Sequence, residues 1–416
     1  MKRKYLAIVL SLTMAFTAAS PVMASSDETQ VIEEVSEDML SEQPDNDETE
    51  VSLSVEDTSE MNTDEEEDNS EISQFSSNFD TEDFNDGSEN ALAVGDGEAT
   101  DDGWTSLNNE TSIAFKYDES SKTLYFKCSG TAALPDNKQS GSTAQWALAL
   151  GNKTKEVENV EIGEGITRIG AFNFNNKLGD YPNLKTVKLS STVTTIGDSA
   201  FEKDSNLKEI NLNQIESVEI RGLKETGIEQ AVFDKEEVEI GENAFNKCTA
   251  LKNVTVKGIS NWGEYSFMEC KNLVSFQCEK PVAEIPDSTF LRCSALASCN
   301  VTGVENVIYS AFEGCASLTT FDFSNVKVIK ASAFEGSGLT QIAFNNKDIT
   351  IGYGALDCEN LKAICYPGTK EEWNTASEDA EIADTIAVHC KADTVEAKAA
   401  TCTEAGWKEV GVCEVC

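Results

Sequence analysis

Histidine is almost missing from this 416-residue chain: His389 is the only one. A Ser-His-Asp or Cys-His apparatus would have to be built around that single imidazole near the end of the sequence. No Ser or Cys beside it stands in a nucleophile turn such as G-x-S-x-G. The H-E-x-x-H metalloprotease pattern needs two histidines and is excluded, and the phosphate-cradling loops G-x-x-x-x-G-K-[ST] and G-x-G-x-x-G are absent. Carboxylate pairs could serve a glycosidase, but the acids are scattered, with no cleft implied. The chain reads as a non-enzyme without a catalytic cofactor, and His389 as a structural residue. Basic residues are also scarce, 32 Lys and Arg against 74 Asp and Glu, for a net charge of −42. That balance argues against nucleic acid, whose phosphates call for Lys and Arg. Beyond the first 20 residues no apolar run is long enough to span a bilayer, so no transmembrane helix is expected in the mature chain.

The acidity is concentrated. Residues 25–102 hold 29 Asp and Glu and no Lys or Arg. Dense like charge with few apolar residues cannot offset the entropy of ordering, so this stretch is expected to be a disordered acidic arm. Before it, Lys2, Arg3 and Lys4, the apolar run from Leu6 to Ala19 and the small residues at Val22-Met23-Ala24 make residues 1–24 a signal peptide. The protein is therefore expected to be secreted or displayed at the cell surface.

The remainder is organised by a beat. Phe174, Phe201, Leu223, Phe245, Phe267, Phe290, Phe312, Phe334 and Leu356 follow one another at 27, 22, 22, 22, 23, 22, 22 and 22 residues. Five residues before each stands Ile169, Ile196, Val218, Ile240, Trp262, Ile285, Val307, Ile329 or Ile351. Apolar marks at a constant offset over such a period indicate a solenoid whose turns bury their apolar sides only by stacking. Each unit closes on alternating residues: LKTVKL (184–189), LKEINL (207–212), LKNVTV (251–256), LVSFQC (273–278), LASCNV (296–301), LTTFDF (318–323) and LTQIAF (339–344). Alternation suits a short strand with one face buried, so stacked turns should form a parallel ladder with Phe beside Phe inside. The fold class is thus an α/β-type repeat solenoid made mainly of short parallel strands.

The units starting at IGDSAFEKDSNLKEINL (196–212) resemble the BspA-type leucine-rich repeat of bacterial surface proteins, over roughly residues 105–390. YDESSKTLYFKCSGTAALPD (117–136), Trp146 and VEIGEGITRIG (160–170) resemble the hairpin-containing segment that opens such arrays. ICYPGTKEEWNTA (364–376) and TIAVHC (385–390) resemble the segment that closes them. The resemblance implies a cap at 103–165, repeats over 166–366, a closing segment at 367–390 and a Cys-containing tail module at 391–416 that stops short of its usual pattern. Two departures, GLKETGIEQAVF (222–233) and an insertion near Leu178–Pro182, should produce local bulges.

Of 13 cysteines, Cys248, Cys270, Cys293 and Cys315 each lie three residues after the repeat's Phe, while Cys278, Cys299 and Cys365 take strand positions filled elsewhere by Val, Phe or Ile. Such residues behave as small buried hydrophobes and are expected to be reduced. Cys390, Cys402, Cys413 and Cys416 follow the array, the last two as C-x-x-C. Four thiolates, or three with His389, could hold a structural zinc; disulfides and unpaired thiols stand beside that reading.

The outward positions of the strands form rows: Thr186 and Lys188, Glu209 and Asn211, Asn253 and Thr255, Ser275 and Gln277, Ser298 and Asn300, Thr320 and Asp322. Short and polar, they suit an extracellular protein or glycan ligand over a broad area, and the resemblance implies adhesion. Two other roles fit the same sequence: the targeting region of a wall-associated enzyme or anchored protein continuing past residue 416, and a structural wall-layer component. Nothing in the sequence sets an oligomeric state.

Overall fold

The structure is a computed structural model, and it describes residues 103–107, 112–137 and 144–391. The signal peptide, the acidic arm and the tail cysteines Cys402, Cys413 and Cys416 lie outside the described residues. The described chain is a succession of short segments, one turn per repeat, in which backbone hydrogen bonds run from each turn to the next. Three such ladders run along the coil.

The first ladder is the alternating strand expected from the sequence. Antiparallel strands Ile113–Asp118 and Thr123–Cys128 form a hairpin that starts it. Strands Asn159–Ile162, Thr186–Leu189 and Glu209–Ile210 then add in parallel. A second parallel run holds Gln230–Val232, Asn253–Val256, Ser275–Cys278 and Ser298–Asn300. The last run holds Gln341–Ala343, Ala363–Tyr366 and Ala387–Cys390. Inward residues such as Val187, Leu189, Val254, Val256, Phe276 and Ile342 are buried.

One expected strand is missing: among the described residues, 318–323 joins no neighbouring strand. Its unit is the one with Phe at both inward positions. Phe321 meets Phe312, Phe323 and Phe334, and Phe323 meets Phe334 and Phe344, at centroid separations of 5.1–5.5 Å. Two rings fill the space that paired backbones would close, and packing wins over the ladder. Thr320 and Asp322 therefore sit on extended but unpaired chain.

The second ladder carries the Ile marks, which the sequence reading did not assign to strands. Arg168–Ile169, Thr195–Ile196, Ser217–Val218, Val238–Ile240 and Ile259–Trp262 pair in parallel, and so do Glu284–Ile285, Asn306–Val307, Val328–Ile329 and Thr350–Ile351. The break between the two runs has a cause in the sequence. After each mark, the next residue donates to the preceding turn, as Gly241 N does to the Val218 carbonyl (2.8 Å), Gly263 N to Ile240 (2.7 Å) and Ile308 N to Ile285 (3.0 Å). At the break that residue is Pro286, which has no N–H to give to Trp262.

The third ladder is built from residues flanking each Phe. From Phe201 to Phe334 the residues two before and two after it have left-handed backbones, such as Ser199 and Lys203 (φ 51° and 68°), Asn243 and Lys247 (57° and 58°), Ser288 and Arg292 (51° and 60°), and Ser332 and Gly336 (56° and 65°). Such φ values cost about 1–2 kcal/mol in a non-Gly residue. Alternating left- and right-handed residues turn every second N–H toward the next turn. Asn243, Phe245 and Lys247 donate to the carbonyls of Glu264, Ser266 and Met268 at 2.8–3.0 Å, and the same triplet recurs along the array. Three hydrogen bonds per turn offset the backbone cost.

Inside, the rings stack as expected. Phe245–Phe267, Phe267–Phe290, Phe290–Phe312 and Phe312–Phe334 have centroids 5.1–5.7 Å apart and planes within 9–17°. Near-parallel rings at that separation are offset stacks, whose spacing is set by the strand spacing of about 4.8 Å. Leu223 interrupts the column, and the departing unit supplies a substitute: Phe233 turns inward edge-on to Phe245, 6.3 Å away. The strand at 230–232 stays in register with Asn253–Thr255. The first ladder breaks between Glu209–Ile210 and Gln230–Val232, and a bulge-like register shift lies at Val238/Glu239. The other insertion loops outward and returns Tyr181 to the core, where its hydroxyl accepts from Trp146 Nε1 (3.2 Å).

Cysteine thiols form a fourth column. Cys248, Cys270, Cys293 and Cys315 donate to the carbonyls of Leu223, Phe245, Phe267 and Phe290, one turn back, at 3.0–3.1 Å. Cys358, one residue early in its unit, reaches the same place and donates to Phe334 (3.2 Å). All five are free thiols. Burial pushes the Cys248 thiol up to about 11 and raises the other four.

Two outcomes follow. Phe312→Ala, which removes a ring touching three others, should cost about 3–5 kcal/mol of stability, read by urea denaturation. Mass-spectrometric mapping of iodoacetamide adducts at pH 8 should find Cys248, Cys270, Cys293 and Cys315 unmodified in the folded protein and modified in urea, since buried protonated thiols do not react.

Candidate binding groove

The outward face of the first ladder is concave where its first strands meet. A groove of ≈ 1050 Å³ lies over Asn159–Ile162, Thr186–Leu189, Glu209–Ile210 and Gln230–Val232. Its floor is made of side chains that a parallel register brings together: Thr123, Asn159, Thr186 and Glu209 stand opposite one another on successive strands, as do Glu161 and Lys188. Lys208, Asn211, Asn213 and Gln230 complete the walls. A smaller recess sharing Glu161, Lys188 and Leu189 continues it toward Trp104 and Tyr125. Trp104 lies under the Lys127 ammonium, 4.1 Å from its ring centre.

Of the residues singled out by sequence, Thr186, Lys188, Glu209 and Asn211 line this groove. Asn253, Thr255, Ser275, Gln277, Ser298 and Asn300 lie farther along the same face, in strict register: Asn253 opposite Ser275 opposite Ser298, and Thr255 opposite Gln277 opposite Asn300. They do not border the concavity. Thr320 and Asp322 are exposed on the unpaired segment, where Asp322 Oδ1 accepts from Ser324 N (2.9 Å). Asn159, Glu161, Lys208, Asn213 and Gln230 were missed. They occupy outward positions in the strand Asn159–Ile162, in the departing unit and beside the strands read, so the alternation that marked Thr186 could have marked them.

Some of these groups are committed to the fold. Asn211 bridges a backbone gap: its Nδ2 donates to the Leu189 carbonyl (2.9 Å) and its Oδ1 accepts from Leu189 N (2.7 Å). It replaces the strand bonds that end at Ile210. Thr186 Oγ1 donates to Asn159 Oδ1 (2.7 Å), and Ser275 Oγ to Asn253 Oδ1 (2.9 Å). Lys188 is exposed and lies 3.9 Å from Glu161.

Charge around the groove is balanced. At its border Glu158 receives Lys122 and Lys185, each at 2.6 Å, and these two ammonium partners lower its carboxyl to about 2. Lys252 pairs with Glu229 (2.7 Å). Lysines held by glutamates do not make the unbroken basic stripe that a phosphate backbone requires. At the far end of the array, Cys390 closes the last strand and packs against the core, with His389 exposed beside it. Among the described residues no group of His, Cys, Asp and Glu is arranged to hold a metal, and the other three tail cysteines lie outside them. No helix among the described residues is long and apolar enough to cross a membrane.

The sequence profile described as BspA type leucine rich repeat region matches in 6 copies, over residues 152–252, 179–297, 221–337 and 301–380, more than half of the chain. No curated protein matches the sequence. Among solved structures, the chain is similar to a leucine rich cell surface protein from Faecalibacterium prausnitzii, at 19% identity and a TM-score of 0.36, over 65% of this chain and 97% of that one. It is also similar to a leucine-rich repeat protein from Bacteroides ovatus, at 16% identity and a TM-score of 0.31, over 67% and 98%. A leucine rich repeat protein of T. pallidum aligns at 17% identity and a TM-score of 0.35, over 50% and 88%.

The Glu158 cluster yields a pH prediction. Its depressed carboxyl contributes stability that is present above the unfolded Glu range, about 4.3, and is lost as pH falls through about 2. A carbon-detected NMR titration should find Glu158 still ionised at pH 3. In Lys122→Met/Lys185→Met its midpoint should return toward the ordinary value.

Proposed function

The chain belongs to the BspA-type leucine-rich repeat family, and from that membership we propose that it is an exported, surface-displayed binding protein that engages an extracellular protein or glycan through the concave strand face. The observation that carries this reading is the groove over the first four parallel strands, floored by hydroxyl, amide and balanced ionic groups and continued by an aromatic recess. Such a surface offers many hydrogen bonds over an extended area, with Trp104 and Tyr125 as larger contacts at one end. Large aromatic side chains and fixed polar groups are the elements from which interface hot spots are made.

The sequence supports the setting. A signal peptide at residues 1–24 exports the chain, and a highly charged arm at 25–102 holds the array away from the surface to which it is attached. Adhesion to host proteins, to glycans or to other cells is the role this arrangement serves. The reading has the protein act by binding, with neither a catalytic residue nor a cofactor, and zinc in the tail, if held by Cys390, Cys402, Cys413 and Cys416, as a structural element only.

The test is a binding screen of the purified protein against extracellular-matrix proteins and a glycan panel, followed by charge insertion. Saturable binding should weaken at least tenfold, about 1.4 kcal/mol, in Thr186→Arg and Glu209→Arg, and persist in Ser298→Arg. Binding lost in Ser298→Arg but kept in the other two would move the site along the face. No saturable binding to any member of the panels would remove the adhesion reading.

A further inference from the structure

The column of cysteines has one odd member. Three residues after the apolar marks from Phe201 to Phe334, which include Leu223, the chain places Asp204, Thr226, Cys248, Cys270, Cys293, Cys315 and Ser337. All seven are buried. Six carry a hydroxyl or a thiol and use it: Thr226 Oγ1 donates to the Leu223 carbonyl (2.8 Å), four thiols donate one turn back, and Ser337 Oγ contacts Cys358 Sγ (3.2 Å). Asp204 is the exception. Both of its carboxyl oxygens are buried, and neither has a hydrogen-bond partner.

A matching orphan lies one turn back. By the register of the column, the acceptor that belongs to Asp204 is the carbonyl of Phe174, as Leu223 belongs to Cys248 and Phe245 to Cys270. The Phe174 carbonyl takes no hydrogen bond from any described residue, and Phe174 is fully buried. An ionised carboxylate in that register would offer the carbonyl two acceptors and no donor. One proton on Asp204 turns that repulsive pair into an O–H···O=C hydrogen bond of the kind the rest of the column makes. Leaving both groups buried and unpaired would cost several kcal/mol.

We propose that Asp204 holds a proton in the folded array and shares it with the Phe174 carbonyl, and that loss of this proton as pH rises loosens the junction between the opening turn and the repeats. The ionisable groups on the segments around it are Lys177, Asp180 and Tyr181 in the preceding loop, Glu202 and Lys203 on its own turn, and Lys224 and Glu225 on the next. Of these, the Tyr181 phenol and Glu202 are buried, and the Tyr181 phenol is within electrostatic reach of the Asp204 carboxyl. Glu202 is held by Asn175 Nδ2 (3.2 Å) and lies 3.9 Å from Lys224, which lies equally close to Glu225. Among the described residues no cation compensates Asp204, whose carboxyl is raised by burial.

The direction follows from linkage. An acid raised in the folded state binds its proton more tightly there than when unfolded. The stability it supports is complete below the unfolded Asp value, about 3.9, and is lost progressively as pH climbs toward the folded value. The Asp204 carbonyl accepts from Leu207 N (2.9 Å), at the head of the segment that carries Glu209 and Asn211. Loosening this turn therefore disturbs the groove. That consequence rests on the function proposed above; the proton does not.

The experiment compares the full chain with Asp204→Asn, which is neutral at every pH and keeps a donor, and with Asp204→Cys, which installs the thiol of the neighbouring turns. Urea unfolding is followed from about pH 5 to 8. Acidic residues common to all three proteins cancel in the difference. The variants should gain on the wild type as pH rises, by up to about tenfold in the folding equilibrium per pH unit. A difference that stays constant across the range overturns the proposal. Infrared difference spectra give a second reading that does not depend on a variant's stability. The wild type at pH 7 should show the C=O stretch of a protonated buried carboxyl that resists exchange with solvent. A wild-type spectrum without that band overturns the proposal, whatever the variants do.

Discussion

Every turn of this coil leaves backbone N–H and C=O groups pointing along the axis, and only the next turn in fixed register can satisfy them. Three ladders do so at once: the alternating strands, the Ile-marked strands and the left-handed segments around Phe. The ladders hold successive turns near the strand spacing, and that spacing determines what can fill the interior. Phenyl rings stack at 5.1–5.7 Å because the backbone delivers them there. Thiols reach the carbonyl one turn back for the same reason. Packing and hydrogen bonding are thus one constraint seen from two sides, and stability is carried by neighbour contacts in place of a single globular core.

The places where a ladder fails show how the constraint is balanced. Pro286 lacks a donor, and the second ladder stops at Trp262. Phe321 and Phe323 hold the strand at 318–323 out of pairing while keeping their own ring contacts. Around Leu223 the phenyl column is interrupted, Phe233 fills the core, and the strand at 209–210 loses its partner on one side. Asn211 then takes over the backbone groups of Leu189 with its own amide. The coil continues through all three because no two ladders fail in the same turn. The groove lies at the third of these places, where the strand face is least regular.

Position in the column also gives residues their chemistry. A thiol, a hydroxyl and a carboxyl occupy equivalent places three residues after Phe, and the site asks each for a donor. Cysteine and threonine supply one at any ordinary pH; aspartate supplies one only when protonated. The repeat therefore turns a single substitution in its pattern into a titratable element, without any special pocket around it.

Much of this was legible in the chain. Fixed offsets of Phe, Ile and Cys determine a solenoid of about 22 residues per turn, because a residue that must fall inside every turn must recur with the turn. The alternation at 184–189 and 251–256 determines which side chains face out, because a strand repeats every two residues. The left-handed corners could not be read: Ser199, Arg221, Asn243, Tyr265 and Ser310 share one conformation and no common side chain, since hydrogen bonds to the next turn override local preference. Nor could the sequence place the concavity over Thr186 and Glu209 in preference to Ser275 and Ser298, which carry the same outward pattern. Curvature and the breaks between strands come from contacts among turns, and those exist only once the turns are stacked.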